Sequence, residues 1–149
     1  MSAALHLCGP SDLERLLALS SACRDETHDG LDAEALRAVL EPLLRGLPQG
    51  AAYLIGPRLA PVGHVILSFG YAVRLGGLVA GIDEFYIRPA LRGRGMGGDV
   101  LGSLAAALSG HGVRALRVEV PAAAAGRALF TTAGFRPHEV THRLIRMIG

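Results

Sequence analysis

The sequence predicts an α+β domain: a mixed, mostly antiparallel central sheet flanked by helices in three layers. Three observations predict it. Runs of β character over residues 51–55, 62–69 and 79–87 follow one another with turns too short for crossovers, so they pair antiparallel. Two helical patterns precede them. After them a glycine-rich loop opens a further helix and another strand, so a crossover follows the meander. The chain has 149 residues, 50% of them hydrophobic, which makes one domain, residues 1–149, able to form a core without disulfides.

In order, residues 4–8 read as a first strand that Gly9-Pro10 breaks. Ser11 and Glu14 have capping-box spacing, and Leu13, Leu16, Leu17 and Ser20 recur at helical spacing, which predicts a helix over 11–24. Residues 25–30, Asp-Glu-Thr-His-Asp-Gly, read as an acidic loop. Asp32 caps a second helix with Leu36, Val39, Leu40 and Leu43 on one face, and Pro42 is expected to end or kink it. Turns at 47–50, 56–61 and 74–77 separate the three strands. The loop over 92–98 leads into a helix over 99–109, where Val100, Leu101, Leu104 and Leu108 align and Gly110 stops it. Residues 115–120 form a strand. Pro121 fits the first turn of a last helix that Gly134 ends. From Phe135 onward, with Leu144, Ile145, Met147 and Ile148 apolar, one or two closing strands are predicted. Their edge needs cover, and a homodimer would supply it.

Composition removes several functions. All 15 basic residues are Arg, the net charge is +2 and no basic run occurs, so nucleic acid is not the expected partner. There is no Lys, Asn or Trp, and Gln49 is the only Gln, a usage that reads as GC-rich coding. The first residues lack a basic stretch followed by a long apolar one. The longest uncharged run, residues 59–73, is 15 residues and too short to span a bilayer. A cytoplasmic location with no membrane association is expected. Cys8 and Cys23 have no CxxC spacing and read as idle thiols of a reducing compartment, and no metal is predicted.

The sharpest feature is Arg88-Pro-Ala-Leu-Arg92-Gly-Arg94-Gly-Met-Gly97-Gly98, placed after a strand and before a helix. Glycines let backbone approach an anion, and the free amides of a helix start point at it. Arg92 and Arg94 add charge. The arrangement is that of a phosphate or pyrophosphate cradle. A Walker A loop is excluded, because it needs Lys. Gly93, Gly95 and Gly98 do match the dinucleotide pattern GxGxxG, and Glu119 lies 21 residues beyond Gly98. Against it, residues 88–92 separate the strand from the glycines, and only 51 residues remain after Gly98 for a parallel sheet.

Arg92-x-x-Gly95-x-Gly97 resembles the [RQ]xxGx[GA] signature of the GCN5-related N-acetyltransferase (GNAT) family. Ile82-Asp-Glu-Phe-Tyr-Ile-Arg-Pro89 is similar to that family's fourth strand, and Ala128-Leu129-Phe130 with Gly134-Phe135 to the end of its fourth helix, ALYxxxGF. The element order fits from Leu5 to Ile148. The resemblance implies acetyl-CoA as acyl donor, lying where the fourth strand parts from the fifth. Phe85, Tyr86 and Ile87 would pair with the pantetheine arm, and Arg92, Gly93, Arg94, Gly95, Met96, Gly97 and Gly98 would hold the pyrophosphate. Phe130 would flank the thioester.

Transfer to an amine requires that a base take its proton. Asp83 and Glu84 are the carboxylates of the fourth strand, and alternation sets them on opposite faces, with Glu84 preferred as base and a bulge able to reverse the choice. Two residues depart from the family pattern. Phe130 stands where many members carry a Tyr that protonates the leaving thiolate, and Ala125 stands where an Asn is familiar. Tyr86 or water could serve instead. Asp25, Glu26, His28 and Asp29 fall in a region that borders the acceptor site in similar proteins and would suit a cationic small-molecule or peptide amine. The expected function is direct acetyl transfer in a ternary complex. A non-catalytic acyl-CoA binding module and a dinucleotide-binding domain are the alternatives.

Overall fold

The computed structural model describes residues 4–28, 30–120, 126–138 and 143–149. Among these residues five strands form one sheet: β1 (Leu5–Leu7), β2 (Gly50–Ile55), β3 (Gly63–Ala72), β4 (Gly77–Ile87) and β5 (Ala115–Val118). They lie in the order β1-β2-β3-β4-β5. The first four pair antiparallel, as the short turns require, and β5 joins β4 in parallel after the crossover. The described residues also form four helices: α1 (Leu13–Thr27), α2 (Ala33–Leu44), α3 (Met96–Ser109) and α4 (Arg127–Thr132). A doubly wound parallel sheet, which the dinucleotide alternative needs, is not what forms.

Strand alternation divides the core in two. Leu54, Ile66 and Tyr86 meet Leu16 and Leu19 of α1 and Leu36, Leu40 and Leu44 of α2. On the other face, Ile55, Val65, Leu67 and Ile82 meet Val100, Leu101, Leu104 and Leu108 of α3 and Phe130 of α4. Leu16, Leu54, Val65 and Leu104 are completely buried. Each such side chain stabilises the fold by about 1.5–3 kcal/mol relative to exposure. Gly63 permits close pairing of β3 with β4, since a Cβ there would lie 2.1 Å from the Tyr86 carbonyl oxygen.

Several boundaries differ from the sequence expectation. A short 3-10 turn, Pro10–Asp12, precedes α1, and Asp12 takes the capping role expected of Ser11 and Glu14. Its Oδ2 accepts from the Gly9 amide at 2.9 Å. Arg15 and Arg58 also donate to this buried carboxylate, at 2.8 and 3.1 Å, which draws it inward. Asp25 and Glu26 are not in a loop: α1 continues through Thr27 and ends at His28 in the left-handed conformation. Pro42 does not end α2, because in the last turn it removes only one hydrogen bond. Helix α3 starts at Met96, three residues early, so Gly97 and Gly98 form its first turn. The helix expected from Pro121 begins at Arg127, and residues 121–125 lie outside the described part.

The closing strands are the largest difference. Residues 135–138 and 143–149 contain no strand, and 139–142 lie outside the described residues. Leu144, Ile145, Met147 and Ile148 are exposed. An apolar run becomes a strand only where a neighbour completes its ladder. Here the contact is a side-chain one, from Arg143 Nη1 to Glu119 Oε2 at 2.6 Å. That pairing also answers for Glu119, the acidic residue of the dinucleotide pattern.

Candidate active site

The site forms where β4 outruns β5. Their parallel ladder runs from Val79↔Ala115 to Ile82↔Val118, and β4 then continues to Ile87 without a β5 partner. The family resemblance predicts this opening at this place. Beyond Ile82 the backbone edge of β4 at Phe85 and Tyr86 is thereby left without a strand partner on one side, while β3 pairs with the other and the Ile87 carbonyl accepts from Arg92 Nε at 2.7 Å. Phe85 projects toward α4, where its ring meets Phe130 edge-on at 5.9 Å, and Phe130 meets Phe135 at 5.3 Å. Phe130 thus flanks the opening as an apolar wall. Ala125, the other departure from the family pattern, lies outside the described residues.

At the end of β4 the chain passes through a 3-10 turn, Pro89–Leu91, and enters the glycine loop. Gly93 and Gly95 have φ of +78° and +82°, left-handed values that other residues resist. Gly95 is the N-cap of α3, and the first helical bond runs from the Asp99 amide to the Gly95 carbonyl. The amides from Gly95 to Gly98 therefore have no acceptor within the helix. A Cβ at Gly93, Gly95 or Gly98 would meet nothing within 4 Å. Free amides, open space and the positive end of a 14-residue helix fit a pyrophosphate. Gly97 has a second duty, since a Cβ there would lie 2.9 Å from Leu129 of α4.

The two carboxylates do not alternate. A bulge interrupts the β3–β4 ladder: Ile66 pairs with Glu84, Leu67 with Ile82, and Asp83 is the extra residue. Both carboxylates consequently reach the α1/α2 face. Asp83 is exposed and accepts from Ser68 Oγ at 3.2 Å. Glu84 is held from three directions. Ser20 Oγ donates to its Oε1 at 2.7 Å, His64 Nε2 bonds the same oxygen at 2.9 Å, and Arg24 Nη2 donates to Oε2 at 2.9 Å. Burial pushes this carboxyl up, but the bonds from His64 and Ser20 and the neighbouring positive charge outweigh it and hold the group below its ordinary range.

Sequence reasoning missed Ser20, Arg24, His64 and Ser68. A signal existed for two of them. Ser20 falls on the apolar stripe of α1 and His64 in an apolar strand, and both are completely buried. A polar group in such a place needs a partner. Tyr86 is also buried on this face, with its ring 5.9 Å from that of His64. The Nδ1 atom of His64 has no hydrogen-bond partner among the described residues.

The expected acceptor residues separate. Asp25 and His28 line a cavity of about 490 Å³ between the end of α1 and the start of α2, with Arg24 and Asp32. Glu26 faces away and pairs with Arg92. Asp29 lies outside the described residues. Cys23 is no nucleophile at neutral pH, because burial first, then Glu84 and Glu26, push its thiol up to about 11. Burial likewise pushes Cys8 up to about 12. Among the described residues no helix is long and apolar enough to cross a membrane.

A sheet parted between a parallel pair, beside a glycine-rich helix start, defines a protein of the acetyltransferase class. The family model of the Acetyltransferase (GNAT) family matches residues 16–135, and the chain belongs to that family. Solved structures agree in fold. An integron cassette protein from the mobile metagenome of Cole Harbour Salt Marsh is 29% identical, with a TM-score of 0.78 over 97% of this chain and 89% of that one. The aminoglycoside N-acetyltransferase AAC(6′)-Iy, in complex with the bisubstrate analogue CoA-S-monomethyl-acetylneamine, is 15% identical, with a TM-score of 0.80 over 98% and 99%. A predicted acetyltransferase of Clostridium acetobutylicum with acetyl-CoA is 13% identical, with a TM-score of 0.78 over 96% of each chain. No curated protein matches the chain in sequence.

Proposed function

We propose that this protein passes the acetyl group of acetyl-CoA directly to a cationic amine within a ternary complex. The observation that carries the reading is the placement of Asp83 and Glu84 together on the α1/α2 face, beside the opening of β4. The thioester then enters from the α3/α4 side and the amine from the other. The pantetheine arm pairs along the β4 edge of Phe85, Tyr86 and Ile87, where the Ile87 carbonyl stays with Arg92 and its amide is left for the ligand. The pyrophosphate rests on the amides of residues 93–98, and Phe130 packs beside the thioester.

The carboxylates divide the work. Glu84 keeps its charge and accepts from three donors, so it attracts and orients the ammonium and is a weak proton acceptor. Asp83 is exposed and takes the proton directly or through water. The freed nitrogen attacks the carbonyl carbon, the C–S bond breaks to release the CoA thiolate, and the nitrogen passes its second proton to water as the amide forms. A CoA thiolate, with a pKa near the thiol value of about 8.5, is a fair leaving group and takes its proton from water or Tyr86. The protonated thiol of Cys23 and the burial of Ser20 and Cys8 leave no nucleophile for an acetyl-enzyme among the described cysteines and that serine, which supports direct transfer. So does the bisubstrate analogue seen with AAC(6′)-Iy, a protein of similar fold. Asp25, His28 and the cavity they line offer room for the body of a small-molecule or peptide amine.

The test is calorimetry with acetyl-CoA, followed by turnover on a panel of polyamines, aminoglycosides, amino acids and peptide N-termini. Asp83→Asn is expected to lower kcat by about 10²–10⁴ while acetyl-CoA still binds. Phe130 in an all-aromatic contact, rather than a proton donor, is what favours the binding-module reading. Tight acetyl-CoA binding with no turnover of any amine would establish it in place of the enzyme.

A further inference from the structure

Arg92 is the residue that the motif aims at a phosphate, yet its side chain, although exposed, is fully engaged by other groups of the chain. Nε donates to the Ile87 carbonyl at 2.7 Å, at the end of β4. Nη1 and Nη2 donate to the two oxygens of Glu26 at 2.9 and 2.7 Å. The guanidinium also lies over the Tyr86 ring, 5.4 Å from its centroid. Every guanidinium nitrogen has a partner, and the fork meets a carboxylate in the bidentate geometry that suits it best. Arg94, two residues on, is exposed and makes no ion pair among the described residues. Glu26 belongs to the last turn of α1, and Arg24 of the same helix holds Glu84. The end of α1 is thus pinned to β4 twice, at its middle and at its tip.

We infer that Arg92 is a positioning residue and not a phosphate ligand: through Glu26 it fastens the acceptor-side end of α1 to the acyl-donor loop. The inference rests on the donor site proposed above. Arg94 and the backbone amides then meet the pyrophosphate, while Arg92 fixes the entry angle of the loop against β4. The sign of one effect separates the two roles. By charge alone, removing the Glu26 carboxylate favours a polyanionic ligand nearby. As the far anchor of a strut, its removal loosens the loop and weakens the ligand.

Acetyl-CoA is titrated calorimetrically into the parent protein and into Glu26→Ala, Arg92→Ala, their double variant, Arg92→Lys and Arg94→Ala. Arg94→Ala should weaken binding about tenfold or more, the scale of one charge-assisted hydrogen bond. Glu26→Ala and Arg92→Ala should each weaken it by a similar factor, about three- to tenfold, with the double variant no worse than either. Arg92→Lys should behave as Arg92→Ala, since an ammonium satisfies a phosphate but cannot span Ile87 and both Glu26 oxygens. Affinity kept in Arg92→Lys, or raised in Glu26→Ala, overturns the proposal. Thermal melting of the same variants without ligand is the second measurement. Coupling between positions 26 and 92 is expected there, and strict additivity overturns the strut even where binding is lost for another reason. A parent protein that fails to bind acetyl-CoA refutes the donor site, and the melting cycle then judges the strut alone.

Discussion

Glu84 gathers a hydroxyl, an imidazole and a guanidinium, and its charge is bound into the fold as much as into the site. Its folded carboxyl titrates below the ordinary value, so its charged form contributes stability fully above the unfolded pKa of about 4.3. That contribution fades as pH falls through the lower folded value. Urea unfolding of parent and Glu84→Gln between pH 7 and pH 3 should show a gap that narrows on acidification; a gap independent of pH would refute the assignment. Asp12 acts in the same direction, with the Arg58 hydrogen bond as the main cause of its lowered pKa. At this scale the sequence was half legible. The pair Asp83 and Glu84 could be named, because carboxylates on a strand beside a glycine loop are few. Which face each takes could not, because a bulge has no signature in side-chain type. Ser20 and His64 were hidden by their apolar company.

The glycine loop and α3 act as one element. Gly95 supplies the left-handed turn that starts the helix, with φ at +82°. Gly95→Ala should cost about 1–2 kcal/mol of stability, the penalty of a Cβ in that conformation. It should also weaken acetyl-CoA binding, because the amides it aims are displaced. A melting curve and a titration check the two, and an unchanged affinity would remove the loop from the donor site. Elements were legible where periodicity is long, as in α2, α3 and the three-strand meander. Their ends were not. Glycine lowers helix propensity, so Gly97 and Gly98 read as loop, whereas the anchoring of α3 on the sheet carries them into the helix. The acidic stretch after Arg24 read as loop for want of apolar residues, yet its Glu26 is held in helix by Arg92.

At the scale of the molecule, two apolar layers press on one sheet, and the proposed site lies where the sheet parts between them. Leu104 is completely buried in the α3 layer. Leu104→Ala should destabilise by about 2–5 kcal/mol in chemical denaturation, and a loss under 1 kcal/mol would show that this layer repacks. The α+β class and the antiparallel meander followed by a crossover were readable from residue order, because short turns and a glycine-rich helix start admit few topologies. The end of the chain was not, since an apolar run reads as strand whether or not a neighbour receives it. One residue in this sheet reaches further than its own contacts. Asp83 is supernumerary: Ile82 and Phe85 to Ile87 would keep their faces if a single codon were deleted there. The pleat would then run unbroken past Ile82. One extra amino acid thus interrupts the ladder on one side of β4 just where its pairing with β5 ends on the other, and it carries to that place the acid of the proposed site.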